Sequence, residues 1–348
     1  MIKSLTSLRG IFILFIFFHH CLNIYPGGGS MAVAFFFVLG GFSMTLGYKD
    51  RVVKPEFSYR QYITRRCLKF YPLHWLCLLA AVPMALTEFQ WKLVPIFFVN
   101  ASLLQTFVPV ESVFFSFNAV SWYLADTLIF AALFPMIVKW IFGASTKGKI
   151  GVFVSFAIVY IATAIITPTE KWHYILYISP YIRVTDFVFG VFLAMVYSIM
   201  KEKQKQNRVL KNGSLSVFLI ISIIVLLVFE SCLLQRPFRF MAPLYWPLIA
   251  ILILTVTLSA GNGGGKLLEN KHMLHLGNLS FTIFLTHQLV IRYCTIVFNK
   301  LHIDQPVFFV ITTLLFTLLV SDVVCRYILN PITQWLTKKI QPSLTVRS

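Results

Sequence analysis

An arginine and a histidine lie in the first apolar stretch of the chain, Arg9 close to its start and His20 close to its end. Ionisable side chains in a membrane-spanning helix are costly to bury, so they usually mark a functional site. The two residues are eleven positions apart, which is about three helical turns, or roughly 16 Å along the axis. Both side chains are therefore predicted to project from one face, and His19 to point about 100° away. The alternative interpretation is a basic membrane anchor with an incidental histidine.

Three basic residues, Arg65, Arg66 and Lys69, stand at the start of the third apolar stretch. Arg66 and Lys69 are three positions apart, so they share a face if a helix has begun there. Two cations at the cytoplasmic edge of a membrane suit the phosphates of a nucleotide-containing ligand. The alternative is that these residues only set the orientation of the helix.

Polar residues also fall within later apolar stretches. Asp126 is an intramembrane carboxylate and is therefore expected to be functional or ion-paired. Arg183 and Asp186 share one helical stripe, which predicts either an internal salt bridge or a role near a bound substrate. His287 is a second intramembrane histidine, but it and His20 lack a third ligand, so no metal site is predicted.

The composition places these residues in a membrane protein. The chain has 348 residues, of which 58% are hydrophobic and 12% are charged, and its mean hydropathy is +0.80. Such values predict a polytopic helical membrane protein. The net charge is +18, but the basic residues stand mainly in short segments between apolar stretches, where they orient the helices. Nucleic-acid binding is therefore not expected.

Eleven apolar stretches are candidate spans, at about 9–25, 31–48, 67–87, 93–107, 121–142, 150–167, 181–200, 214–234, 241–259, 277–299 and 307–329. Basic clusters at 49–69 and 201–211 are predicted to be cytoplasmic. An even number of crossings must separate two cytoplasmic loops, yet five apolar stretches lie between them. The weakest, 93–107, contains Asn100 and Gln105 and is predicted to be re-entrant or peripheral.

The predicted fold is thus an all-α transmembrane helix bundle with about ten crossings and both termini in the cytoplasm. No hydrophilic stretch is long enough for a soluble domain, so residues 1–348 are predicted to form a single domain in the lipid bilayer. Any reaction must then take place within the bundle.

Six blocks of sequence resemble, in order, the motifs of the acyltransferase-3 family of integral membrane acyltransferases. The first is Arg9-Gly10 followed by His20. The others are Phe-Phe-Val-Leu-Gly-Gly-Phe at 36–42, Arg-Arg-Cys-Leu-Lys-Phe-Tyr-Pro at 65–72, Ser-Trp-Tyr-Leu-Ala-Asp at 121–126 with Phe134-Pro135, Arg-Val-Thr-Asp-Phe-Val-Phe-Gly at 183–190, and Leu-Gly-Asn-Leu-Ser-Phe-Thr-Ile-Phe-Leu-Thr-His at 276–287.

The resemblance implies O-acetylation: transfer of an acyl group, usually acetyl from acetyl-CoA, to a hydroxyl of an envelope glycan or glycolipid at the bacterial inner membrane. Acyl transfer needs a base for the acceptor hydroxyl, and His20 is the candidate because a neutral imidazole titrates near physiological pH. The remaining expected roles fall into three groups: Arg9 and His287 with His20 in catalysis, Arg65, Arg66 and Lys69 in binding the acyl-CoA, and Trp122, Asp126, Arg183 and Asp186 in binding the substrate.

The alternative function is a secondary transporter or flippase of a small or lipid-linked envelope substrate. Intramembrane histidine, arginine and aspartate residues suit that function equally well. The composition does not separate the two classes. The two classes are separated by testing whether the purified protein turns over an acyl donor.

Overall fold

The structure is a computed structural model that describes residues 2–22, 29–204, 213–234 and 237–340. Within these ranges the chain is helical and contains no strand, in agreement with the predicted all-α fold. The α-helices are α1 (Lys3–Leu22), α2 (Gly29–Val52), α3 (Tyr59–Leu86), α4 (Leu93–Ala101), α5 (Glu111–Phe114), α6 (Ser121–Gly143), α7 (Thr146–Ile166), α8 (Pro180–Gln204), α9 (Gly213–Leu233), α10 (Trp246–Leu258), α11 (Gly263–Leu268), α12 (Lys271–Lys300), α13 (Pro306–Val323) and α14 (Asn330–Ile340). Short 3₁₀ segments cover Gln105–Phe107, Thr169–Lys171, Phe238–Phe240 and Ala242–Leu244, and π-helical segments cover His173–Ile178 and Val324–Leu329.

Eight of the described helical segments are long and apolar enough to cross a membrane. They are α1, α2, α3, α6, α7, α8, α12 and the continuous segment Pro306–Leu336, which begins with α13. The two other predicted crossings fall on α9 and α10, in which the apolar segments Ser216–Glu230 and Trp246–Leu258 are described. The chain is therefore a multi-pass membrane protein, while the count of ten crossings and the cytoplasmic termini remain predictions.

The apolar stretch at 93–107 does not form one long helix. It forms α4, which has nine residues, and the 3₁₀ segment Gln105–Phe107. Nine residues of α-helix are about 14 Å long, roughly half the thickness of the hydrocarbon core. The Asn100 side chain donates to Ile96 O at 3.0 Å and to Ser116 Oγ at 2.7 Å, so its amide hydrogens are bonded within the protein. The re-entrant or peripheral position of 93–107 remains a prediction.

Of the second basic cluster, predicted at 201–211, residues 205–211 lie outside the described ranges. The first cluster, at 49–69, covers the end of α2 and the start of α3. Helix α3 begins earlier than its apolar residues indicate, because the Ser58 side chain caps it by accepting a hydrogen bond from Gln61 N.

The described residues divide into two compact units. Of the described residues, the first unit comprises 2–19, 29–57, 133–204, 213–234 and 237–278, and the second comprises 20–22, 58–132 and 279–340. Helices α1, α6 and α12 each contribute residues to both units.

Glycines allow helix backbones to touch in the first unit. A Cβ atom at Gly41 would collide with Phe187 O, and one at Gly190 would collide with Val38 O, so α2 and α8 pack with their backbones in contact. Small residues are typical of membrane helices whose backbones approach this closely. A Cβ atom at Gly40 would lie 3.8 Å from the Phe187 ring, which is an ordinary contact, so the tight approach depends on Gly41.

Candidate active site

The structure brings His20 and His287 into contact within the second unit. His20 Nδ1 lies 3.1 Å from His287 Nε2. His20 is exposed, whereas His287 is fully buried. Nδ1 of His287 lies 3.0 Å from Ile283 O and 2.7 Å from Phe284 O, in the preceding turn of α12. A buried imidazole, held by the helix backbone at one nitrogen, thus contacts an accessible imidazole through the other.

The turn of α12 that carries His287 is fixed by neighbours in the same unit. Asn118 Nδ2 donates to Leu285 O at 2.9 Å, and the Thr286 and Ser321 hydroxyls lie 2.9 Å apart. The side chains of Asn118, Thr286 and Ser321 are buried. These contacts restrict the rotation of α12 and therefore the position of the His287 ring.

A glycine contact in the first unit involves the same two helices. Gly10 of α1 packs against Gly277 of α12 so closely that a Cβ at Gly10 would lie 2.9 Å from Gly277 N. His20 follows Gly10 by ten positions, and His287 follows Gly277 by ten positions. The missing side chains of these two glycines therefore let α1 and α12 touch backbone to backbone in the first unit.

The neighbouring histidine has different surroundings. The His19 ring lies against the first residue of α2, where a Cβ at Gly29 would lie 2.7 Å from His19 Cδ2. This difference is expected from the rotation of about 100° between successive helical residues. Arg9 is half-buried on α1 in the first unit. Since α1 is continuous over Lys3–Leu22, three helical turns separate Arg9 from His20, as predicted.

The three basic residues predicted to bind the donor all lie within α3. Arg65 and Lys69 are exposed, and Arg66 is half-buried. The Arg66 guanidinium lies 5.1 Å from the centre of the Tyr62 ring, and the Tyr62 hydroxyl donates to Ala131 O at 2.7 Å. The helix has begun before these residues, so the condition for Arg66 and Lys69 to share a face is met.

Arg183 and Asp186 form a buried salt bridge in the first unit. Arg183 Nη1 lies 2.8 Å from Asp186 Oδ2, and the two side chains are only 1% and 0% exposed. Trp246 Nε1 donates to Asp186 Oδ1 at 2.7 Å. The Arg183 guanidinium also lies 4.9 Å from the centre of the Phe37 ring and 5.6 Å from that of Tyr177. The internal salt bridge, one of the two predicted alternatives, is therefore present.

The other two residues predicted to bind substrate are buried in α6. Trp122 is 5% exposed and Asp126 is 0% exposed. Both belong to the second unit, like the histidine pair. Among the described residues, no group of three or more His, Cys, Asp or Glu side chains could hold a metal ion.

A family model for an acyltransferase domain matches residues 2–326. The chain belongs to the acyltransferase-3 family. It is therefore a membrane acyltransferase. Comparison with curated proteins and with solved structures gave no match.

Within this acyltransferase the structure joins His20 to His287 and Arg183 to Asp186. Two residues that help to place these pairs were not predicted. Trp246 fixes Asp186, and a tryptophan in an apolar stretch carries no signal of its partner. Asn118 holds α12 beside His287, and the available signal for it was a polar residue directly before an apolar helix.

Proposed function

We propose that this protein is a bacterial inner-membrane O-acyltransferase with a single acyltransferase domain over residues 1–348. It transfers an acyl group, acetyl in the first instance, from acyl-CoA to a hydroxyl of a cell-envelope glycan or glycolipid. The observation that supports this most is the accessible imidazole of His20, held by a buried histidine in a chain of the acyltransferase-3 family.

His20 acts as the general base in the proposed reaction. Its imidazole accepts the proton of the acceptor hydroxyl while the oxygen attacks the carbonyl carbon of the thioester. The carbon–sulfur bond then breaks, and the proton on His20 passes to the leaving thiolate of CoA. The ester of the acceptor and free CoA are the products. Proton transfer by a positioned base contributes typically 10²–10⁴-fold to such a rate.

Positive charge on α3 anchors the donor in this proposal. Arg65, Arg66 and Lys69 face the phosphates of acetyl-CoA, since cations at a membrane edge pair well with phosphate. Arg66 is the best placed of the three, because the Tyr62 ring restricts its guanidinium. Arg9, on the same helix as the base, supplies a further cation for the donor.

The buried candidates support the fold around the reaction. Trp122 and Asp126 belong to α6, and their side chains are buried. We therefore propose that they shape the acceptor site by packing. Arg183 and Asp186 fix α8 against Trp246 of α10 in the first unit. Direct contact between a bound acceptor and these four side chains is not needed for the proposed reaction.

The experiment uses the purified full-length protein in lipid nanodiscs with radiolabelled acetyl-CoA. We expect slow hydrolysis of the donor in water and faster loss of the label from CoA when glycan acceptors are added. Reconstitution in vesicles tests the alternative function. Movement of an envelope substrate across the bilayer without acyl turnover would identify a transporter and contradict the proposal. Mass spectrometry of surface glycans from a deletion strain then identifies the acceptor as the molecule that loses its acyl group.

A further inference from the structure

The hydrogen bonds of His287 determine which of its nitrogens carries the proton. Its Nδ1 faces two backbone carbonyl oxygens, of Ile283 at 3.0 Å and of Phe284 at 2.7 Å. A carbonyl oxygen only accepts hydrogen bonds, so Nδ1 must be the protonated nitrogen. Burying an ionised side chain is costly, and His287 is fully buried. In the neutral ring, Nε2 therefore has a lone pair and no proton.

The tautomer of His287 in turn determines that of His20. The two rings meet through His287 Nε2 and His20 Nδ1 at 3.1 Å. Since Nε2 of His287 can only accept, Nδ1 of His20 must donate. A neutral His20 then carries its lone pair on Nε2, the nitrogen on the opposite side of its ring from His287.

We propose that His287 is a positioning residue that fixes His20 in the Nδ1-protonated tautomer and so makes Nε2 the basic atom. This role rests on the proposed function, in which His20 is the base. In a serine protease triad a carboxylate performs the equivalent task by accepting from the Nδ1–H of the catalytic histidine. Here the acceptor is a second imidazole, and its own tautomer is set by the backbone of α12.

During the reaction, the proton taken from the acceptor hydroxyl binds to Nε2 of His20. His20 becomes an imidazolium with both nitrogens protonated, and its Nδ1–H continues to donate to His287. When the thiolate of CoA removes the proton from Nε2, the starting tautomer returns. His287 neither gains nor loses a proton, so no reorganisation of the buried ring is required.

Two substitutions of His287 separate this role from a purely structural one. His287→Leu and His287→Gln both lose the Nδ1–H bond to the carbonyl oxygens. Only glutamine can place an acceptor, its Oε1, where Nε2 of the imidazole stands. Loss of a single neutral hydrogen bond changes an equilibrium or rate constant by a few-fold to about tenfold. Loss of the whole base lowers the rate of transfer about 10²–10⁴-fold.

We therefore expect kcat of His287→Leu to fall ~10–100-fold with the KM for acetyl-CoA unchanged, and His287→Gln to recover several-fold of that loss. If kcat falls by the same factor in His287→Leu and His287→Gln, or if both variants keep full activity, the positioning role is overturned. If the wild type and both variants turn over no acyl donor while substrate transport proceeds, the proposed function has failed, and a measurement of the His20 tautomer still tests the histidine pair.

The tautomer is measured directly on protein labelled with ¹⁵N at the histidine ring nitrogens, in nanodiscs, by solid-state NMR. The His20 signals are assigned by their loss in His20→Ala. At a pH where the ring is neutral, we expect Nδ1 of His20 to be protonated and Nε2 unprotonated in the wild type. This pattern should be lost in His287→Leu and kept in His287→Gln. An unprotonated Nδ1 on His20, or a doubly protonated His287, overturns the inference whatever the activity of the protein.

Discussion

Removing one partner of the buried Arg183–Asp186 pair should destabilise the protein far more than removing both. The charges are 2.8 Å apart and almost completely buried, so Arg183→Met or Asp186→Leu leaves the other charge without its counter-ion. Such a change costs about 3–5 kcal/mol, whereas replacing both partners by apolar residues is often neutral or stabilising. We expect each single variant to melt roughly 5–10 °C below the wild type and the double variant to melt within a few degrees of it.

The assay is thermal unfolding of detergent-purified protein, followed by the loss of the monodisperse peak in size-exclusion chromatography. The solvent-accessible pair Arg326–Asp322 is the control, because its shortest distance is also 2.8 Å but its arginine is 59% exposed and its aspartate, half-buried, 26%. An exposed pair contributes about 0–1 kcal/mol, so Asp322→Asn should shift the melting temperature little. Equal effects of the buried and exposed substitutions would refute the reasoning.

Activity of the same double variant decides between the two roles predicted for the pair. A structural salt bridge predicts that the variant with Arg183→Met and Asp186→Leu keeps most of its acyl transfer. A direct role in substrate binding predicts a stable but inactive protein. Because Trp246 Nε1 also loses its acceptor in this variant, a second double variant with Asp186→Asn and Arg183→Met retains that hydrogen bond and serves as the internal comparison.

Three further predictions concern the base, the donor and the topology. His20→Ala should abolish detectable transfer with normal membrane insertion, since a base contributes 10²–10⁴-fold, whereas His19→Ala should keep a substantial fraction; the reverse result would show that the base has been assigned to the wrong histidine. Arg66→Ala should weaken acetyl-CoA binding, measured by equilibrium dialysis, without loss of folded protein, and an unchanged affinity would leave Arg66 with a role in topology only. In a variant lacking the native cysteines, a cysteine at Ser112 should react with an impermeant thiol reagent from outside and one at Ser145 should not; the opposite pattern would contradict the ten-crossing scheme.

The apolar pattern predicted the membrane helices well because a long apolar run with few charges is typical of a membrane-spanning helix. It predicted their ends less well. Helix α12 begins at Lys271, about six residues before the apolar stretch at 277–299, since a helix can continue in polar sequence outside the hydrocarbon core. Helix α10 begins only at Trp246, because a 3₁₀ segment at Ala242–Leu244 precedes it.

The contact at the centre of the candidate site could not be read from local sequence. His20 and His287 are 267 positions apart, and hydrophobic periodicity contains no information about which helices are neighbours. The resemblance to the family selected both histidines but did not pair them. The salt bridge between Arg183 and Asp186 was accessible to prediction because its partners are three positions apart on one helix.

The contact between the two histidines is sensitive to the position of His20 along its helix. Each residue of an α-helix adds a rise of about 1.5 Å and a rotation of about 100°. A residue inserted directly before His20 would therefore carry the imidazole away from His287, and a hydrogen bond of 3.1 Å would be lost. His19 illustrates the effect, because its ring, one position earlier, lies against Gly29 instead. The position of His20 on α1 and the tautomer of its ring are thus coupled through the hydrogen bond to His287.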